Sequence, residues 1–246
     1  MNKLIVWALF DDANRSIYKA LQNDNDVVVY SFGINDKENE NNYIKIDLSL
    51  NNKTLVQDIN KLIKKVGAPD IVFASPPCRA WTTANPGKAL KNILENGNLE
   101  LKNYSHFIAY NEYAQWYAKR DFFKEQSSIL EAQSTTLATI LILQLLKPKI
   151  FFIENPQGSR IFKYINSFCN FETINNKLHY FAYDKNFPKK ATTFASNYYF
   201  DTKTTKEKSN IKMINLGNYN DRSAIPNKLI IDLIYQSKGI IWKKKN

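Results

Sequence analysis

The chain has 246 residues, with 34 Lys and Arg against 23 Asp and Glu, so it carries a formal net charge of +11. With 44% hydrophobic and 13% aromatic residues it has the material for one ordinary core, which excludes global disorder. Two cysteines, Cys78 and Cys169, and two histidines, His106 and His179, exclude a disulfide scaffold, a four-thiolate zinc site and a dense metal cluster.

Leu4 to Phe10 is a continuous apolar run closed by Asp11-Asp12, the pattern of a buried parallel strand. A short helix is expected over 14–22, then a second strand over 26–30 and a third, alternating one over 43–48. Thr54 to Val66 reads as an amphipathic helix closed by Gly67. Pro69 to Ala74 is a fourth strand, stopped by Ser75-Pro76-Pro77, and a long helix over 129–146 leads into a fifth strand at 149–153. The stretches 82–123 and 157–215 show no regular period. The most apolar segment, 137–146, is about half the ~20 residues of a membrane span. No leader-like apolar region follows Met1, so a cytoplasmic protein away from membranes is expected.

Strands separated by helices at this spacing predict an α/β fold with a doubly wound, mostly parallel sheet. Ligands of such sheets sit beyond the carboxyl ends of the strands. That rule selects Phe10-Asp11-Asp12, Asp47, Ser75-Pro76-Pro77-Cys78 and Glu154-Asn155-Pro156. Two prolines after a buried strand fix φ and remove two donors, so the chain turns rigidly and displays Cys78 at the ligand edge. Cys169 lacks such a setting and reads as an inert thiol. A reactive Cys78 needs a neighbouring cation to hold its thiolate, and Arg79 is the adjacent candidate. Glu154 ends the next strand, which puts a partly buried carboxyl in the same crevice, suited to hold or donate a proton.

Phe73 to Cys78, followed by Phe152 to Pro156, resembles the DNA (cytosine-5)-methyltransferase family, above all its short phage and bacterial branch. The segments 179–183, 187–194 and Asn197, and then Arg222 to Leu229, are similar to later segments of that branch, in the same order. The resemblance implies a class I S-adenosylmethionine-dependent methyltransferase-like sheet. Residues 1–156 and 211–246 would form the catalytic domain, and 157–210 a small target-recognition insertion. It implies methyl transfer to carbon 5 of a flipped cytosine through a covalent adduct. Cys78 would be the nucleophile and Glu154 its partner, with Lys190 and Thr192 near the base and Ser75, Pro77, Arg79 and Asn155 lining the substrate site. S-adenosylmethionine would meet Phe10, Asp12, Asn14, Asp36, Asp47, Pro76, Ser223 and Ile225. Double-stranded DNA is the implied partner, with room for a partner subunit because the recognition region is short.

The turn after the first strand, Phe10 to Ser16, carries no glycine, where the family uses a glycine-rich cradle for the methionine end of the cofactor. Asp12 and Asn14 are the residues there that best tolerate a left-handed backbone. Gly33 stands where an acid normally ends the second strand, and Asp36 follows it. Two further readings therefore stay open. One is a silent relative that binds DNA or a partner methyltransferase; the other uses the same Cys and Glu on a free nucleotide or with another one-carbon donor. Relatives that methylate exocyclic amines place an aromatic after the two prolines; here Cys78 occupies that place and Trp81 follows three residues later.

Overall fold

A computed structural model describes residues 3–11, 14–35, 41–83, 88–114, 119–212, 216–217 and 219–243. Its centre is a seven-stranded sheet of β1 (Leu4–Leu9), β2 (Val27–Gly33), β3 (Tyr43–Lys45), β4 (Ile71–Ala74), β7 (Ile150–Pro156), β8 (Ile174–His179) and β9 (Ala191–Ser196), in the order β3-β2-β1-β4-β7-β9-β8. The first five strands in that order are parallel, and β9 enters antiparallel between β7 and β8. This is the α/β, mostly parallel sheet expected from the sequence, with helices on both faces.

Period-2 alternation divides each central strand between two cores. Leu4, Val6 and Ala8 face α1 (Ser16–Leu21), α6 (Tyr180–Tyr183) and α8 (Asn227–Lys243). Trp7 and Leu9 face α2 (Leu55–Val66), α4 (Phe122–Leu146) and α5 (Ile161–Ser167). Phe73 and Phe152 stack at 4.7 Å on the first face, and Phe200 packs on Phe152 at the same distance. Gly67 closes α2 at φ 87, a backbone conformation that favours glycine, with Ile5 Cδ1 packed where a Cβ would stand. On the far side, Lys238 of α8 grips both oxygens of Asp24 at 2.8 Å and Asp26 at 3.1 Å, tying the last helix to the turn before β2.

Three expectations change in the structure. The stretch 157–210 supplies α5, β8 and β9 and thereby part of the main sheet and both cores, so it does not stand apart as an insertion. The stretch 82–123 contains a hairpin, β5 (Leu90–Ile93) with β6 (Leu99–Leu101), and the helix α3 (Tyr104–Tyr113). The long helix α4 begins seven residues earlier than its apolar pattern, where Asp121 accepts the Lys124 N–H at 2.8 Å as N-cap. α4 is 25 residues long and contains an 18-residue stretch of mean hydropathy 1.5, enough by length and composition for a membrane span, yet 56% of that stretch is buried inside the protein.

Register then builds the functional edge. Phe32, Leu9, Ala74 and Ile153 are paired across β2, β1, β4 and β7, so Gly33, Phe10, Ser75 and Glu154 follow in one row at the carboxyl ends. Because β9 runs antiparallel, its amino end lies at that same edge, with Pro156 opposite Thr192, and brings Lys190 there.

Candidate active site

Two adjoining concavities occupy this edge. A cleft of about 620 Å³ lies over the ends of β1, β2 and β3, and its walls include Phe10, Asp11, Asn35, Asp47, Glu131 and Thr135. A smaller pocket of about 300 Å³ lies over β4 and β7 and contains Cys78, Glu154, Lys190, Arg222, Ser223 and Ile225. Phe10, Ser75 and Pro77 belong to both, so a narrow shared wall joins them. Cys78 and Glu154 therefore meet, as the adjacent strand ends require.

Glu154 is held from two sides. The Tyr180 hydroxyl donates to its Oε1 at 3.1 Å, and Lys190 Nζ stands 3.7 Å from that same oxygen. Lys190 also donates to the Arg222 carbonyl at 3.4 Å and lies 4.9 Å from the Tyr180 ring centre. The carboxylate thus keeps one face for a ligand while its charge is balanced by a neighbour that cannot easily swing away. Burial pushes the Cys78 thiol up from its ordinary value, and the Glu154 carboxylate pushes it further, against the opposing pull of Lys190 and Lys88. Cys78 is consequently a protonated thiol at neutral pH. Arg79, expected beside it as the activating cation, instead reaches Glu125 at 3.7 Å and lines a third concavity against α4, about 530 Å³.

Asn155 differs from its expected place in the substrate wall. It is fully buried; its amide donates to the carbonyls of Pro76 at 3.0 Å and Glu154 at 2.8 Å, and its oxygen accepts from Ser159 Oγ at 2.8 Å. It braces the double-proline turn against β7. Thr192 is also fully buried, with a hydroxyl that has no partner among the described residues, and it does not line the Cys78 pocket. Pro76, Ser223 and Ile225, expected at the cofactor, line the Cys78 pocket rather than the larger cleft. Asn14 lines neither, and Asp12 and Asp36 lie outside the described residues.

The glycine question has a specific outcome. Phe10 itself takes φ 54 and Arg15 φ 52, so two bulky residues take the left-handed backbone at either end of this turn. Such a conformation costs a non-glycine residue about 1–2 kcal/mol, and such strain persists where the surroundings enforce it, often at ligand sites. Here it throws the Phe10 ring between the two concavities. Beyond the turn, the Arg15 guanidinium lies 3.8 Å from the Tyr18 ring centre, and Ser31 Oγ donates to the buried Asp11 carboxylate at 2.7 Å. Gly33 is needed because a Cβ there would meet Tyr43 Oη at 2.9 Å, and that hydroxyl accepts the Asn35 N–H at 3.1 Å.

The residues present suit S-adenosylmethionine. A 620 Å³ cleft falls in the usual range for a ligand of that size. Its walls mix apolar residues, Phe10, Ile34 and Ile46, with polar ones, Asn35, Asp47 and Asn51, as a ligand with an apolar ring and hydroxyls requires. Trp81 is fully buried against Tyr164, with ring centres 4.9 Å apart, so it is not free to stack on a target base as an amine methylator would need.

Sequence reading missed Lys88, Glu125 and Tyr180 as members of this region. Lys88 is buried, and burial pulls its ammonium down to about 8 from an ordinary 10.5. A lysine lowered on folding penalises the folded state at neutral pH, and the penalty fades as pH rises from about 8 toward 10.5. Replacing it with Lys88→Met should stabilise the fold at pH 7 by on the order of 1–3 kcal/mol and by much less at pH 10. Denaturant unfolding at the two pH values checks this.

No family model matches the chain, and no curated protein matches it. Among solved structures, it is similar to the Entamoeba histolytica methyltransferase EhMeth, at 15% identity and TM-score 0.43, over 89% of this chain and 61% of that one. It is also similar to the PbgP3 protein of Burkholderia pseudomallei, at 14% identity and TM-score 0.27, over 62% of this chain and 52% of that one. The chain therefore spans less than two thirds of the length of either structure.

Proposed function

We propose that the chain transfers a methyl group from S-adenosylmethionine to carbon 5 of a cytosine turned out of double-stranded DNA. The observation that carries this reading is the pairing of the two concavities: Cys78 and Glu154 share the smaller one, and Phe10, Ser75 and Pro77 line both it and a cofactor-sized cleft. Carbon 5 of cytosine is not nucleophilic until a group adds at carbon 6. Cys78 Sγ makes that addition, and Glu154 holds ring nitrogen 3 and the exocyclic amine as electrons shift onto the ring. Lys190, tethered at the carboxylate, keeps Glu154 oriented and neutralises part of its charge. Bound in the cleft, S-adenosylmethionine supplies an electrophilic methyl group. Cys78 then leaves as carbon 5 gives up its proton to solvent. The flipped base costs a few kcal/mol of stacking, offset by phosphate contacts from a chain of net charge +11.

A mechanism-based trap tests this without mutating the protein. Random-sequence duplexes carrying 5-fluorocytosine cannot complete the last step, since fluorine does not leave as a cation. Incubation with S-adenosylmethionine should give a denaturant-resistant protein–DNA adduct whose digested peptide carries the base on Cys78. Cofactor-loaded protein that forms no adduct overturns the reading.

A further inference from the structure

The surroundings of the Glu154 carboxylate are lopsided. Both groups that reach it among the described residues converge on one oxygen: the Tyr180 hydroxyl donates to Oε1 at 3.1 Å, and Lys190 Nζ stands 3.7 Å from the same atom. No hydrogen bond or ion pair among the described residues reaches Oε2. The convergence is built into the fold. β8 ends at His179, opposite Ala191 of β9, and the Tyr180 N–H, opening α6, donates to the Lys190 carbonyl at 3.1 Å. The two donors thus share a backbone tie and cannot drift apart independently. The Tyr180 ring is fully buried in the core that faces α8, with Phe187 edge-on at 6.2 Å and Lys190 Nζ 4.9 Å from its centre. A buried tyrosine of this kind has an apolar body fixed by packing and a polar tip aimed at one partner. The side chain lines neither concavity, so it acts on a bound base through the carboxylate.

We infer that Tyr180 is a positioning residue that makes the site choose cytosine over uracil, by fixing which Glu154 oxygen accepts and which donates. This rests on the methyl-transfer reading and adds to it the discrimination between the two pyrimidines. Cytosine presents an amine donor beside an acceptor, ring nitrogen 3. Uracil presents the reverse, a carbonyl acceptor beside a ring N–H donor. A carboxyl group that binds either edge takes up one proton from water, then uses one oxygen as acceptor and the other as O–H donor. With two donors already directed at Oε1, that proton sits on Oε2. Oε1 then accepts from the exocyclic amine, and Oε2 donates to nitrogen 3. Uracil in the same pose needs the proton on Oε1, which displaces the Tyr180 hydrogen and faces the Lys190 ammonium. As Sγ bonds to carbon 6 and the pair of the ring double bond moves to carbon 5, both hydrogen bonds to cytosine are kept. Tyr180 retains its own proton throughout.

The test compares rates of adduct formation, with S-adenosylmethionine present, on random-sequence duplexes carrying 5-fluorocytosine or 5-fluorouracil. The parent should trap the cytosine duplex faster by at least about 10²-fold. Tyr180→Phe removes one oxygen from an otherwise unchanged ring. It should lower that preference by about tenfold or more, chiefly by slowing the cytosine duplex. A purely structural role would slow both duplexes alike and leave the ratio where it was. Glu154→Gln provides a second arm, because its amide is a fixed copy of the same pattern, with Tyr180 holding the oxygen and the NH₂ facing nitrogen 3. Preference for the cytosine duplex should survive in Glu154→Gln and fall by about tenfold in Glu154→Gln/Tyr180→Phe, where the amide is freer to turn over. An unchanged ratio in either protein carrying Tyr180→Phe, folded by circular dichroism, overturns the proposal. A parent that traps both duplexes equally also overturns it, while methyl transfer stands. A cofactor-loaded parent that traps neither overturns the methyl-transfer reading and this proposal with it.

Discussion

Cys78→Ser should reduce methyl transfer to DNA by at least about 10³–10⁴-fold while leaving the fold and cofactor binding unchanged. Serine keeps the shape and a polar atom at the end of the double-proline turn, so the pocket and its wall with the cleft persist. It does not keep the chemistry. A hydroxyl is far less acidic and less polarisable than a thiol. Glu154→Gln is the informative companion. Glutamine retains an acceptor for the Tyr180 hydroxyl, now 3.1 Å from Oε1, but gives up the charge that Lys190 balances. A loss of about 10²–10³-fold is expected, in line with removal of one electrostatic partner from a developing charge. The double variant should fall little below Cys78→Ser alone, because Glu154 acts on an adduct that no longer forms. Tritium incorporation from labelled cofactor measures all three. Incorporation that Cys78→Ser leaves intact rules out the covalent route.

How much of this was legible follows from where burial dominates the pattern. Four of the five parallel strands are apolar runs closed by polar residues and the third alternates, so the strand-end rule led from the sequence to Cys78 and Glu154. Helix α2 was legible for the same reason, with Leu55, Ile59 and Leu62 on one face and Gly67 beyond. The start of α4 was not, because Lys124 to Ser128 is polar in the part of the helix that borders the cavities rather than the core. The hairpin β5–β6 carried a readable signal, Asn96-Gly97 between two short runs, with Gly97 at φ 85. Strands β8 and β9 mix Asn, Lys and Thr with apolar residues, and only their pairing on β7 makes them strands. Within the site, residue type at a strand end was a good guide to position and a poor guide to role. Asn155 and Thr192 are polar residues beside the chemistry that point into the protein, and Lys88 is a buried lysine in a polar stretch. Nothing in a linear pattern separates a buried lysine from a solvated one. The absence of glycine between Phe10 and Ser16 was legible, but not that Phe10 would take a left-handed backbone at the end of β1.

Asn155→Ala should destabilise the protein by roughly 2–5 kcal/mol and lower its melting temperature by about 5–15 °C. The side chain touches no ligand pocket, so the size of the effect depends on what it leaves behind. Its removal orphans the buried Pro76 carbonyl, 3.0 Å from the amide, and the buried Ser159 hydroxyl, 2.8 Å from the oxygen. Each orphaned group costs about 1–3 kcal/mol, and alanine also leaves a small void. Prolines cannot offer a compensating backbone donor at positions 76 and 77, so the turn has few other ties to β7. The turn is also what aims Cys78 at Glu154. Methyl transfer at a temperature where the variant is fully folded should therefore fall by about 10²-fold with the thiol and carboxylate both intact, as misplacement of reacting groups by about 1 Å predicts. Asn155→Asp separates the two contributions: it keeps an acceptor for Ser159 but loses the donor to Pro76 and adds a carboxylate beside Glu154. It should fold better than alanine does in acid, where protonation restores a donor, and worse at pH 8. Thermal unfolding of both variants across pH 5 to 8, alongside transfer rates at a common low temperature, measures each effect. Unfolding curves that match the parent's would show that the turn is held by something other than this brace.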